Sequence, residues 1–168
     1  MTTHGLNISA INHIGIVVAD IERAVEEYWD EFGIGPWQIF TFGPSAKRTT
    51  VRGEPCAFSL RIAKAQVGAI AIELIQPLDG PTPHQEFLYQ RGQGVQHLGV
   101  VVEDLERAVE QMARLGFDEL TSAYGMGVDG DGGAVYFDTQ SVLGTTLELC
   151  DPPKRRYPPE TVYPPSGA

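Results

Sequence analysis

The chain has 168 residues, a net charge of −10, 42% hydrophobic and 20% charged residues, and two cysteines, Cys56 and Cys150, at no metal-like spacing. This is ordinary globular composition rather than that of a disordered chain, and such an acidic surface repels phosphate backbones, which argues against nucleic acid as a partner. There is no basic start followed by an apolar stretch, and no apolar run reaches the roughly 18 residues of a membrane span, so the expectation is a cytoplasmic protein with reduced thiols.

Residues 1–10 form an N-terminal extension. Residues 11–27 then read INHIGIVVADIERAVEE, and residues 95–111 read VQHLGVVVEDLERAVEQ, identical at ten of seventeen positions with a constant offset of 84. An ungapped match of this kind indicates an internal duplication. Each copy opens on a β-branched, apolar segment that reads as a buried strand. Asp20 and Asp104 follow at the N-cap positions of amphipathic helices, whose stripes are Ile21, Ala24, Val25, Tyr28 and Phe32 in one copy and Leu105, Ala108, Val109, Met112 and Leu115 in the other. Gly33 and Gly116 suit the helix ends.

Three strands are predicted after each helix: 37–42, 58–65 and 69–76 in the first module (11–79), and 117–123, 134–138 and 145–150 in the second (95–151). The fold class is therefore α+β, two βαβββ modules in tandem forming a curved mixed sheet, with helices on the outer face. A linker (80–94) carries a short helix around 85–90. The tail (152–168) includes KRRYPPETVYPP, too rich in proline for a core element, and is expected as an extended arm on the surface or on a neighbouring subunit.

Side chains alternate along a strand, so parity decides which residues meet. Ile14, Ile16 and Val18 suit the helix side, which leaves His13, Gly15 and Val17 opposite. Ile70, Ile72 and Leu74 leave Ala71 and Glu73 on the histidine side. In the second copy His97, Gly99 and Val101 share that face, as do Thr146 and Glu148. An unpaired buried carboxylate is costly. Two imidazoles and two carboxylates converging on one divalent metal would resolve it, and mixed N/O donors suit Mn, Fe, Co, Ni or Zn better than Ca.

These residues resemble the vicinal oxygen chelate superfamily, which includes glyoxalase I, extradiol dioxygenases, bleomycin-resistance proteins and methylmalonyl-CoA epimerase. The likeness to methylmalonyl-CoA epimerase runs over about 11–151. It rests on His-Ile-Gly-Ile-Val-Val at 13–18 with Asp20, Glu-Leu-Ile-Gln-Pro-Leu at 73–78, Phe87-Leu88, Arg91-Gly92, Gly94, His97, Gly-Ala-Val-Tyr-Phe at 133–137 and Leu-Glu-Leu at 147–149. It implies His13, Glu73, His97 and Glu148 as metal ligands. Gln96 stands where epimerases usually carry the first of two histidines, and Asp138-Thr139-Gln140 replaces their His-Pro.

The expected activity is that of an epimerase or racemase, with an enolate stabilised by the metal and Glu148 or Glu73 moving the α-proton. A glyoxalase-like lyase or isomerase, an extradiol-type dioxygenase, and a non-catalytic drug-binding protein are the alternatives. Arg61, placed with Ser59 on the cup face, would bind a substrate carboxylate, and Trp37 and Tyr136 would line the pocket; each also reads as an ordinary strand-surface or core residue. His4 and His84 read as solvated surface histidines. The expected partners are a small-molecule substrate and a second copy of the chain in a homodimer, since curved sheets leave open edges.

Overall fold

A computed structural model describes residue 6 and residues 8–43 and 48–165. The first half contains β1 (His13–Val17), α1 (Ile21–Phe32), β2 (Trp37–Phe42), β3 (Arg48–Val51), β4 (Glu54–Pro55), β5 (Ser59–Val67) and β6 (Ile70–Asp79). After α2 (Pro83–Arg91) come β7 (Gly94–Val101), α3 (Leu105–Arg114), β8 (Glu119–Met126), β9 (Gly132–Phe137), α4 (Gln140–Leu143), β10 (Thr146–Asp151) and β11 (Thr161–Tyr163). Among the described residues eleven strands form one mixed sheet in the order β11-β2-β5-β6-β1-β7-β10-β9-β8-β3-β4. It curves without closing on itself. No described helix is long and apolar enough to cross a membrane.

The duplicated segments behave alike. Asp20 accepts a hydrogen bond from the Arg23 amide at 3.1 Å, and Asp104 from the Arg107 amide at 3.0 Å, so each carboxylate caps its helix. Gly33 ends α1 in the left-handed conformation. The apolar stripe of α1 buries Ile21, Ala24 and Val25 against Trp37, Ala63, Ala65 and Leu74. That of α3 buries Leu105, Ala108 and Met112 against Val135, Phe137, Leu147 and Leu149. Phe32 and Leu115, at the ends of the predicted stripes, are exposed. Two separate cores thus lie on the helix side of the sheet.

The halves meet where β1 runs antiparallel to β7, and each of these central strands has a parallel neighbour, β6 and β10. Two elements depart from the sequence reading. The hairpin β3–β4 belongs to the first half of the chain but pairs with β8 of the second, carrying the sheet past the duplicated unit. The proline-rich tail is not wholly irregular: β11 pairs antiparallel with the edge strand β2, and Tyr163 packs against the first core. Proline blocks helices and central strands, but an edge strand needs hydrogen bonds on one side alone. His4 and most of the N-terminal extension lie outside the described residues.

Candidate metal centre

Four neighbouring strands, β6, β1, β7 and β10, set Glu73, His13, His97 and Glu148 side by side on the concave face. One ligand atom from each lies within 4.8 Å of the others, and all four residues are buried. The two carboxylates flank the two imidazoles. Register explains how the rings fit: His13 lies opposite Gly99, and His97 opposite Gly15. A Cβ on Gly15 would fall inside the His97 ring, and a Cβ on Gly99 inside the His13 ring. The two glycines of the duplicated motif therefore clear the space that the opposite histidines occupy.

His13 Nε2 is 3.2 Å from His97 Nε2 and 2.6 Å from Glu148 Oε2, and His97 Nε2 is 3.3 Å from the same oxygen. The outer nitrogens are held as well. Nδ1 of His13 is 3.1 Å from Asn12 Oδ1, and Nδ1 of His97 is 2.7 Å from Gln96 Oε1. A ring that donates its Nδ1 proton to an amide oxygen presents a lone pair at Nε2, which is how metal-binding histidines are oriented. Two such nitrogens and a carboxylate oxygen, this close in a buried site, can hold a cation between them. The donor set fits a divalent transition metal.

Among known proteins, residues 12–137 match the model of the Glyoxalase/Bleomycin resistance protein/Dioxygenase superfamily. The chain belongs to that superfamily. It is 24% identical over 145 residues to the Bacillus subtilis protein YqjC, a match covering 86% of this chain and 94% of that one. Its fold is shared with methylmalonyl-CoA epimerase from Mycobacterium tuberculosis (TM-score 0.59, 24% identity, 91% and 93% of the two chains). It is also shared with a Streptomyces coelicolor methylmalonyl-CoA epimerase variant bound to 2-nitronate-propionyl-CoA (TM-score 0.60, 21% identity, 86% and 97%).

In this superfamily member the four residues are not electrostatically equivalent. Burial opposes the charge on Glu148, but the two adjacent histidines outweigh it and hold the carboxyl well below its usual range. Glu73 is also pushed up by burial and, on balance, held down, mainly by Lys64, whose Nζ donates to Glu73 Oε2 at 2.7 Å. Burial works against a proton on His13, yet its bond to Glu148 and the nearby carboxylates raise its pKa.

Lys64 was not among the residues read from the sequence. A strong signal for it lay in the hairpin. The β5–β6 turn pairs Val67 with Ile70, and that register puts Lys64 directly opposite Glu73. The same register corrects Arg61. Leu60, Ile62 and Lys64 line the cup, whereas Arg61 turns to the helix side and binds Glu160, with Nε also 3.5 Å from Glu22. Trp37 is corrected too, for it is fully buried under α1, edge-on to Tyr28. Tyr136 does line the cup, with its ring edge-on to His97 at a centroid distance of 5.1 Å.

His84 is a further correction. The start of α2 packs it into the cup wall at 1% exposure, against His97 and Tyr136. Neither ring nitrogen has a hydrogen-bond partner among the described residues, and burial, aided by the neighbouring His97, lowers its pKa to about 3. It is therefore a neutral imidazole at the wall of the site. The cup encloses about 260 Å³, and Phe40, Phe42, Phe58, Leu60, Ile62 and Met126 give it an apolar wall. Cys150 also faces it, but burial raises its thiol pKa, so it is no nucleophile at neutral pH.

Proposed function

We propose that this chain is a divalent-metal-dependent epimerase or racemase acting on a small carbonyl or acyl-CoA-type substrate. One observation carries the reading: the two buried carboxylates stand on opposite flanks of the imidazole pair. His13, His97, Glu148 and Glu73 would hold the metal, which when bound supplies Lewis-acid stabilisation of negative charge developing on a substrate oxygen. Epimerisation needs a proton acceptor on one side of a carbon and a donor on the other. Glu73 or Glu148, both held ionised, would be the acceptor once partly released from the metal. Lys64 keeps Glu73 ionised and oriented, His13 and His97 keep Glu148 so, and the apolar wall excludes water. The fold shared with methylmalonyl-CoA epimerases supports this reading.

Metal-dependent exchange of an α-proton in D₂O, with added Co(II) or Mn(II) and a panel of acyl-CoAs including methylmalonyl-CoA, tests it. Glu148→Gln is expected to lower that exchange at least about 100-fold. No exchange by the wild-type protein across the panel overturns the reading.

A second reading follows from Lys64. With Glu73 Oε2 bound to that ammonium, His13, His97 and Glu148 remain as a set of two histidines and one carboxylate. That set suits Fe(II) and oxygen chemistry. Iron in the purified protein, with oxygen uptake on a catechol, would favour this dioxygenase over the epimerase. A homodimer belongs to the same proposal, with light scattering as its measurement.

A further inference from the structure

A second cavity, of about 400 Å³, adjoins the cup, and Asn12, Lys64 and Arg156 line both. Its remaining polar side chains are Gln38 and Gln66. The second cavity is thus lined by two cations and three amides, with no carboxylate among its lining residues. In a chain with 22 acidic and 12 basic side chains this is a local reversal of sign.

Arg156 reaches this position on the tail segment 152–160, which is fixed at both ends. At one end Arg155 Nε donates to Asp129 at 2.6 Å, the Val128 amide donates to the Arg155 carbonyl at 3.0 Å, and Lys154 lies 3.9 Å from Asp131. Pro153 packs so tightly on Gly127 and Gly132 that neither has room for a Cβ. At the other end Glu160 accepts from the Thr41 amide at 2.8 Å and pairs with Arg61, just before β11 joins the sheet. Arg155 and Glu160 are thus committed to holding the tail. Arg156, between them, makes no hydrogen bond or ion pair among the described residues and faces both cavities. The charge of Lys64 is matched by Glu73, so the net positive charge of the second cavity comes from Arg156.

We infer that this second cavity is an oxyanion subsite in which Arg156 binds a carboxylate or phosphate of the same substrate whose carbonyl reacts at the metal centre. The inference rests on the metal-enzyme reading above. A planar guanidinium forks onto either oxyanion, and the amides of Asn12 and Gln38 add neutral donors. The substrate class is therefore a carbonyl compound with an anionic group beyond the reacting carbon.

Calorimetric titration of the full-length Mn(II)-loaded protein with valerate, glutarate and 4-phosphonobutyrate tests this. The three probes share one carboxylate and a similar spacer, and the last two carry a second anion. At least one doubly anionic probe is expected to bind ten-fold or more tighter than valerate, and which one does so tells a carboxylate from a phosphate. Arg156→Gln should abolish that gain and leave valerate and Mn(II) binding unchanged, while Arg156→Lys retains part of it. Equal binding of the three probes, no binding by any, or equal weakening of all three by Arg156→Gln overturns the subsite. Proton exchange is read separately. A chain that prefers the second anion but exchanges no α-proton keeps the subsite and loses the epimerase reading.

Discussion

Gly15 and Gly99 show how much a missing side chain can decide. Each lies in β1 or β7 opposite a histidine of the other strand, and each leaves the volume that the opposite ring fills. Gly99→Ala is expected to displace the His13 ring and weaken Mn(II) binding at least about ten-fold, the scale of losses when a metal ligand is disoriented. Calorimetry reads this directly, and an unchanged affinity would mean the ring has room to shift. His84 poses the opposite case, a buried polar side chain with both nitrogens unpartnered among the described residues. A buried polar group left without a partner costs about 1–3 kcal/mol. His84→Leu, similar in size and without polar atoms, should therefore raise the stability of the metal-free protein by about 1 kcal/mol in urea denaturation. A loss of stability would show that the imidazole is satisfied by water.

Strand alternation separates the two jobs of β6 at the level of the element. Leu74 is fully buried in the first core, and its neighbour Glu73 belongs to the candidate metal centre on the other face. Leu74→Ala should cost about 3 kcal/mol of stability and leave Mn(II) affinity of the folded protein unchanged. Coupled losses in both measurements would mean that the two faces are not independent. Parity was legible from the sequence for β1, β6, β7 and β10, because each carries an unbroken apolar row on one side. It failed for β5, where Ser59, Arg61, Ala63 and Ala65 alternate with Leu60, Ile62 and Lys64. There the small alanines lie under α1 and the aliphatic residues line the cup, so size under a helix decided the face rather than hydrophobicity.

The whole molecule joins two halves through β1 and β7, so the candidate metal centre forms only when both have folded. Metal should therefore stabilise the fold, by about 2.7 kcal/mol at a free concentration 100 times Kd, and a chelator should reverse the gain in thermal melts. Acid acts on the same site. The depressed Glu148 and Glu73 contribute stability above the unfolded carboxyl pKa, and this is lost as pH falls through their lower folded values. His13 has the opposite sign: its raised pKa stabilises the metal-free fold below the ordinary histidine value and is lost as pH rises through the folded one. Metal competes with that proton, so Mn(II) affinity should increase with pH across the His13 titration. A flat affinity profile from pH 6 to 8 would argue against His13 as a ligand.

By itself the sequence determined the duplication, the α+β module and the face on which His13, Glu73, His97 and Glu148 lie. These follow from periodicity and from residues repeated at a fixed offset, which are local properties of a chain. Tertiary structure alone decided that the β3–β4 hairpin crosses to β8, that the tail closes the β2 edge, and that Arg156 reaches the second cavity. It also placed Lys64 beside Glu73, Arg61 beside Glu160 and His84 in the cup wall. Each of these depends on contacts between segments far apart in the chain or on which side of a strand a helix packs, and neither is written in local pattern. The four candidate ligands and Tyr136 in the cup wall were therefore readable in advance, and Lys64, His84 and Arg156 around them were not.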